Sequence, residues 1–196
     1  MKRAESTPQM RKTLIDNGLQ LLNKVGYHDF SMRQVAAMSG VSHAAPYKHF
    51  KNKEDFLVAI KTTVLQSFMA SLKEAVLQCD DNPRTRLAEM GKSYIKFMVE
   101  NPEHMKFMSL TAQKNNIRVV DNHFEYQSDS PFAAFLKIAN EYLQSVSANP
   151  ESYVTDILSI FSVVHGMSLL IVEQSIVFEG DYMPYVSEMI YNRMRG

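Results

Sequence analysis

The prolines of this chain mark the starts of helices, and these starts constrain the fold more than any other feature. A cap side chain accepts a hydrogen bond from a free backbone N–H, and proline suits the next position because its missing N–H has no intrahelical partner there. Five of the seven prolines directly follow such a cap residue, in the pairs Thr7-Pro8, Asn82-Pro83, Asn101-Pro102, Ser130-Pro131 and Asn149-Pro150. Ser31, Asn52 and Asp181 predict three further helix starts.

Glycines mark several helix ends. Gly26, Gly40 and Gly180 each follow an apolar-periodic run, at the place where a left-handed residue closes a helix. No long stretch alternates with a period of two residues, so no sheet is predicted. These signals predict helices over residues 8–25, 31–39, 43–50, 53–79, 83–100, 102–113, 131–148, 150–178 and 181–194. The intervening segment 114–129 is predicted to be a long loop, and the expected fold is all-α with about nine helices.

The charge of the chain is unevenly distributed. The 21 basic and 21 acidic residues cancel, yet residues 1–61 carry ten basic and five acidic groups, a balance of +5. The remaining residues carry eleven basic and sixteen acidic groups, a balance of −5. Such asymmetry is typical of a polyanion-binding N-terminal domain joined to a domain with another function. An ordinary solvated surface gives the same charge count, however. A boundary is expected along the helix that starts near Lys53.

Several classes of protein are excluded or disfavoured. The single cysteine, Cys79, cannot form an intramolecular disulfide or a zinc site alone. Residues 1–9 are polar, so we expect no signal peptide. The longest apolar stretch, residues 157–172, is broken by serines and a histidine and is short for a membrane span. The sequence therefore predicts a cytoplasmic protein with no membrane partner.

An enzyme is not expected. No Gly-rich phosphate loop, metal-ligand constellation or nucleophile elbow occurs in the sequence. We therefore expect no catalytic residues, no metal site and no cofactor.

Two short helices near the N-terminus carry the functional signal. The predicted helices 31–39 and 43–50 are joined by Ser39-Gly40-Val41-Ser42, and a short helix, a glycine turn and a second short helix are typical of a helix-turn-helix. The second helix of that motif enters the DNA major groove. The alternative is a helix pair in an ordinary bundle, with the basic groups merely solvated. Pro46 falls in the first turn and predicts a locally distorted start.

The residues of the second short helix suit contacts with a duplex. Ser42 and His43 can hydrogen-bond a base edge or a phosphate, and Ala44 and Ala45 can offer methyl groups to thymine. Tyr47, Lys48 and His49 suit phosphate oxygens, and Lys53 lies at a helix N-terminus that already favours an anion.

Residues 11–60 resemble the TetR family of transcriptional regulators almost without gaps. The resemblance is carried by Gly26-Tyr27, the capped helix at Ser31, Ser39-Gly40-Val41-Ser42, Tyr47-Lys48-His49-Phe50 and Asn52-Lys53-Glu54. The segment 94–108 is also similar to the central part of one C-terminal class of that family. Val164-His165-Gly166 stands where this class commonly has Trp-His-Gly, with valine in place of tryptophan.

The resemblance implies a function for each part of the chain and a set of residues that contact DNA. Residues 1–53 would bind DNA, and residues 54–196 would bind an effector and dimerise, so that a homodimer sits on a pseudo-palindromic operator. The positions matching the family's DNA contacts are Ser31, Arg33, Ser42, His43, Ala44, Ala45, Tyr47, Lys48, His49 and Lys53. Ala45 and Pro46 replace residue types often found there, such as threonine and leucine, so a base preference is not carried over.

A dimer is also indicated by the apolar run itself. Residues 157–172 are apolar nearly all round, and such a helix must be buried on every side, with one face on its own core and another on a second subunit. Close approach of a second helix would offset the cost of Gly166, about 1 kcal/mol relative to alanine. The candidate interface residues are Ile157, Val164, Met167, Leu170, Ile171, Tyr185 and Met189. The alternative is the central helix of a monomeric bundle.

An effector pocket is a further hypothesis. The chain has 13 methionines, and methionine lines adaptable apolar sites, although a stripe of methionine and aromatic residues also suits plain core. The candidate lining residues are Tyr94, Met98, Phe107, Met108, Phe161 and His165. His165 suits either a satisfied core position or a ligand contact.

Together these features predict a DNA-binding transcriptional regulator. We expect a repressor that leaves its operator when a small, mainly hydrophobic effector binds. The alternative is a helical protein-interaction adaptor without sequence-specific DNA binding.

Overall fold

Helices make up most of the chain in the computed structural model, which describes residues 7–110 and 117–194. The α-helices are α1 (Thr7–Val25), α2 (Met32–Met38), α3 (Lys53–Leu77), α4 (Pro83–Glu100), α5 (Pro102–Leu110), α6 (Pro131–Ser145), α7 (Tyr153–Val172) and α8 (Met183–Arg193). Two short 3-10 helices span Pro46–Lys48 and Pro150–Ser152. One antiparallel hairpin pairs β1 (Arg118–Val120) with β2 (His123–Glu125). The all-α prediction is confirmed, with this hairpin as a minor addition.

The predicted caps are present at several helix starts. The side-chain oxygen of Asn82 accepts hydrogen bonds from the N–H groups of Arg84 and Thr85 at 2.9 and 3.4 Å. Ser130 Oγ accepts from the N–H of Ala133 at 3.1 Å. Each cap is followed by a proline in the first turn. A local signal of two adjacent residues therefore located these starts correctly.

Two predicted helix ends lie too far along the chain. Helix α6 ends at Ser145 rather than 148, and helix α7 ends at Val172 rather than 178. Ser147 and Gln174 adopt positive φ angles of 49° and 56° just beyond these ends. This left-handed conformation closes a helix, and glycine usually supplies it. Because neither residue is glycine, these helix ends carry no stop signal that is visible in the sequence.

The hairpin replaces part of the predicted loop over residues 114–129. Asp121 and Asn122 both have positive φ, 47° and 60°, which suits a two-residue turn between antiparallel strands. Arg118 pairs with Glu125 across the strands, with Nη1 and Oε2 2.8 Å apart. Strands of three residues are too short to show a detectable alternation. The predicted end of the fifth helix at residue 113 lies outside the described residues.

The chain divides into two compact units. The first comprises Met1–Gln66 and Glu103–Thr111. Its core holds side chains from α1, α2, α5 and the first part of α3, including Leu14, Val35, Phe56 and Phe107, each with no exposed surface. Gly18 lets α1 approach closely, because a Cβ there would lie 2.7 Å from the Phe56 ring.

The second unit comprises Ser67–Pro102 and Ala112–Gly196. Helix α4 is central and packs against α6, α7 and α8. A Cβ at Gly91 would lie 3.0 Å from Cδ1 of Ile190, so the small residue lets α4 and α8 meet closely. Arg84 donates to the carbonyl oxygens of Tyr191 and Met194 at 3.3 and 3.4 Å, which satisfies the C-terminal end of α8.

Candidate nucleic-acid interface and regulatory site

A glycine turn closes helix α2 and sets up the segment that follows. Gly40 has a φ of 66°, and its N–H donates to Ala37 O at 3.1 Å. The N–H of Val41 donates to Ala36 O at 3.0 Å, which completes a Schellman motif. Val41 packs against the core of the first unit. The predicted turn is therefore a defined structure and not a flexible link.

Residues 42–49, here called the reading segment, form one tight turn followed by a 3-10 helix. The N–H of Ala45 donates to Ser42 O at 2.9 Å, and that of Lys48 donates to Ala45 O at 3.1 Å. The predicted α-helix over 43–50 is therefore wrong. Proline at position 46 has no N–H to donate to Ser42 O, so an α-helical first turn cannot close. Backbone hydrogen bonds between residues three positions apart form instead, as in a 3-10 helix.

The reading segment presents polar groups on one exposed surface. Pro46 is buried beneath it, whereas Tyr47 is 59% exposed. The predicted DNA-binding residues that are exposed are Arg33, Ser42, His43, Ala44, Tyr47 and Lys48, and those that are half-buried are Ser31, Ala45, His49 and Lys53. Hydroxyl, imidazole, phenol and ammonium groups thus lie within eight residues of chain.

Two of the half-buried residues also hold the first unit together. Ser31 Oγ accepts the N–H of Gln34 at 3.4 Å as the cap of α2. Lys53 Nζ donates to Phe30 O at 2.8 Å and lies 5.7 Å from the ring centroid of Tyr27. Their polar groups are therefore partly committed to the protein, in addition to any contact with an anion.

Two residues that the sequence did not single out also contact this region. The Arg11 guanidinium lies 5.0 Å from the centroid of the Phe50 ring, at the end of the reading segment. Asn17 Nδ2 donates to Ser39 Oγ at 2.9 Å, at the start of the glycine turn. Both residues are on α1, and the sequence carries no local signal for either contact because the partners are far apart in the chain.

In the second unit, three of the predicted effector-site residues form a cluster. The hydroxyl of Tyr94 lies 2.8 Å from Nδ1 of His165, and the rings of Phe161 and His165 stack with centroids 5.7 Å apart. Burial raises the pKa of Tyr94 and lowers the pKa of His165. Both shifts favour the neutral forms, and the tautomer of the imidazole decides which of the two atoms donates. We call Tyr94, Phe161 and His165 the aromatic cluster.

The other three predicted lining residues are not in this cluster. Met98 is in the second unit and only 2% exposed. Phe107 belongs to the core of the first unit, where its ring centroid lies 6.1 Å from that of Tyr27. The side chain of Met108 lies outside the described residues.

The predicted dimer residues divide into buried and exposed groups. Ile157 and Val164 are buried within their own protomer, at 1% and 5% exposure. The remaining residues are more accessible: Met167, Ile171 and Met189 are half-buried, and Leu170 and Tyr185 are exposed. Because α7 is apolar on all sides, the sequence pattern could not show which face of this helix packs on the core of its own protomer.

An exposed stripe on α7 includes two leucines that the sequence did not single out. Leu158, Ser162, His165 and Leu169 are exposed at positions i, i+4, i+7 and i+11, which places them on one side of the helix. The His165 ring is only partly covered there, by its contacts with Tyr94 and Phe161. We call these four residues the outer face of α7. Beside it, a Cβ at Gly166 would meet no described atom within 4 Å.

Helix α7 also meets the simplest criteria for a membrane span. Among the described residues, Pro150–Val172 alone is long and apolar enough, with a mean hydropathy of 1.8. One such helix is weak evidence for a span, because core helices of soluble proteins meet the same criteria. Here one side of the helix packs on α4, and the outer face carries a serine and a histidine.

The sequence model of a protein family described as bacterial regulatory proteins, tetR family, matches residues 14–60. This segment contains the glycine turn, the reading segment and the start of α3. Residues 14–60 therefore carry the sequence pattern of the TetR family. The expectation drawn from the sequence motifs is thereby confirmed.

Curated relatives match this chain over part of its length. The HTH-type transcriptional regulator BetI of Pectobacterium carotovorum is 32% identical over 88 residues, which cover 44% of this chain and 45% of the relative. The fatty acid metabolism regulator protein of Bacillus subtilis is 29% identical over 63 residues, 32% of each chain. The alignments thus span less than half the length of these relatives.

Solved structures match along nearly the whole chain. A protein of unknown function from Rhodococcus sp. RHA1 superposes with a TM-score of 0.77 at 22% identity, covering 99% of this chain and 98% of that one. A TetR variant from Acinetobacter baumannii AYE, solved in complex with minocycline, superposes with a TM-score of 0.59 at 20% identity, covering 93% of both chains. At these identities the likeness shows that the fold is shared.

Proposed function

We propose that this protein is a transcriptional regulator of the TetR family that binds a DNA operator through its reading segment. The observation that carries the proposal is the exposed surface of residues 42–49 behind a rigid glycine turn, within a segment that matches a family of regulatory proteins. Ser42, His43 and Ala44 come first along this surface and would face the base edges. Tyr47 and Lys48 follow and would contact phosphates.

Two further groups, on either side of the reading segment in the chain, would also contact DNA phosphates. Arg33 is exposed on α2 and suits a phosphate, as does the N-terminus of α3 at Lys53. We assign DNA binding to residues 1–53 and effector binding and dimerisation to residues 54–196. Within the latter range, Glu103–Thr111 belongs to the first compact unit, beside the DNA-binding residues.

The protein would act as a homodimer. The two leucines of the outer face of α7, with Leu170 and the 62% exposed Tyr185 on α8, are exposed apolar side chains that a second copy can cover. The open space beside Gly166 supports close approach of a second helix. Two-fold symmetry of the protein requires a pseudo-palindromic operator with half-sites separated by about one or two turns of DNA.

The regulatory step would be release from DNA when a small, mainly hydrophobic effector binds, so that the protein is a repressor. The aromatic cluster supports this proposal because it combines flat apolar rings with a Tyr94–His165 hydrogen bond that a polar ligand group can replace. One structural relative binds minocycline. A regulator of this kind acts in the cytoplasm, where the DNA is.

The deciding experiment is selection of bound duplexes from a pool of random sequence, using the full chain. We expect a pseudo-palindromic sequence to be enriched, and light scattering of the complex to show an even number of protomers. Enrichment of no sequence above background would contradict the proposal. Repeating the binding with a panel of small hydrophobic compounds then identifies an effector as one that releases the selected duplex.

A further inference from the structure

The turn that precedes the reading segment is tied to helix α1 by one side chain. Asn17 Nδ2 donates a hydrogen bond of 2.9 Å to Ser39 Oγ. This hydroxyl in turn donates to Val35 O at 2.8 Å. Because the Ser39 hydrogen is committed to α2, an oxygen lone pair faces the amide of Asn17. The two bonds therefore link α1, through Ser39, to the last turn of α2.

The reading segment depends on such anchors because it has little internal structure. Its 3-10 helix has only three residues, and short 3-10 helices have weaker hydrogen-bond geometry than α-helices. At its C-terminal end, Phe50 is held by the Phe56 ring, with centroids 4.4 Å apart. At its N-terminal end, the anchor is the turn that begins at Ser39.

We propose that Asn17 is a positioning residue for DNA recognition: by holding Ser39, it fixes the direction in which Ser42, His43 and Ala44 face a duplex. The inference rests on the proposed function, and it adds a residue of α1 that acts through Ser39. Base-edge hydrogen bonds require accurate placement, whereas phosphate attraction tolerates small displacements. Loss of the anchor should therefore weaken sequence discrimination and leave non-specific binding intact.

The principal test is Asn17→Ala. Alanine is a better helix former than asparagine, so α1 is retained. Fluorescence anisotropy would measure binding to the duplex selected by the wild-type protein and to a scrambled duplex, each at several salt concentrations. We expect operator binding to weaken about fivefold, the effect of one hydrogen bond. Scrambled-duplex binding and the salt slope should stay unchanged.

Asn23→Ala is the matched control. Asn23 is exposed on the same helix, so this variant makes the same chemical change without touching Ser39. It should bind both duplexes like the wild type. Ser39→Ala removes the acceptor and should reproduce the effect of Asn17→Ala. The double variant should then be no weaker than Ser39→Ala, because both changes break the same bond.

Three outcomes separate the possibilities. Unchanged operator binding by Asn17→Ala would overturn the proposal. An equal loss on both duplexes, together with a lower Tm, would also overturn it, because a merely structural residue behaves in this way. If the wild-type protein selects no sequence at all, the proposed function itself fails, which is a different result.

Discussion

The hydroxyl of Tyr94 on α4 and Nδ1 of His165 on α7 share a hydrogen bond, with the two atoms 2.8 Å apart. Burial lowers the pKa of His165 and raises that of Tyr94, so both side chains favour their neutral forms. Two helices of the second unit are thus joined by a hydrogen bond between two neutral side chains.

The first prediction is that stability falls in mild acid. A histidine whose pKa is lowered by folding contributes its full stability above its unfolded pKa, about 6.5. Below that pH the unfolded chain binds a proton that the folded chain resists, so the contribution is lost progressively. The Tm should therefore decrease from pH 7.5 to pH 5.5, and calorimetry at several pH values would measure this slope. Burial lowers the pKa of His104 as well, so both residues add to it.

A substitution at His165 measures how much of this pH dependence of the Tm comes from that residue. His165→Gln keeps a neutral acceptor and removes the titration, so its slope of Tm against pH should be shallower than that of the wild type. His123→Gln changes an exposed histidine on the hairpin and serves as the control. If His165→Gln and the wild type give parallel curves, the neutral hydrogen bond has no measurable effect on stability.

The second prediction concerns Lys48. A lysine that contacts phosphate releases counterions when DNA binds, so Lys48→Ala should weaken binding to every duplex. It should also reduce the slope of log K against log salt by about 0.9. Anisotropy titrations between low and moderate salt would measure both effects. Lys73→Ala removes an exposed charge from the second unit and should leave the slope unchanged. Equal slopes for wild type and Lys48→Ala would exclude this phosphate contact.

The features predicted correctly from sequence are those encoded by adjacent residues. Ser130-Pro131 is a cap and a first helical position side by side, and the structure has both. Gly40 marked its turn for the same reason. Gln174, which ends α7, escaped prediction because it adopts a glycine-like conformation without being glycine. Pro46 predicts a distorted helix start, and its missing N–H goes further, because a 3-10 helix replaces the predicted α-helix.

The features that were missed depend on residues distant in sequence. Asn17 and Ser39 are 22 positions apart, and nothing in either residue type indicates their contact. Phe107 was grouped with Tyr94 by composition, yet it lies in the core of the first unit. Helix α7 is apolar on every side, so only its packing could show that Leu158 faces outward. Periodicity indicates which residues share a face, and tertiary contacts decide what covers it.

The third prediction tests the close packing of α1. A Cβ at Gly18 would lie 2.7 Å from the Phe56 ring and 2.9 Å from Cδ1 of Ile60, both in the core of the first unit. Alanine favours a helix by about 1 kcal/mol over glycine, but overpacking a core costs about 1–3 kcal/mol. Gly18→Ala should therefore lower the free energy of unfolding, as measured by urea denaturation. Gln20→Ala, exposed on the same helix, is the control. An increase in stability for Gly18→Ala would mean that Phe56 moves aside freely.

The fourth prediction tests the outer face of α7 as a dimer surface. Leu169 is 39% exposed in the protomer, so a glutamate there is tolerated by the protomer's own fold but would be buried without a partner in a dimer. Leu169→Glu should shift the protein from dimer to monomer in sedimentation velocity. It should also weaken operator binding at least tenfold, because one protomer reads only one half-site.

The control for Leu169→Glu is a leucine that is more exposed and lies on a different helix. Leu77 at the end of α3 is 83% exposed, so Leu77→Glu introduces the same charge away from the outer face. This variant should remain dimeric with unchanged operator binding. A dimeric Leu169→Glu would exclude the outer face from the interface. A monomeric wild-type protein would remove the two-fold symmetry from which the pseudo-palindromic operator was argued, and the reading segment would then act alone.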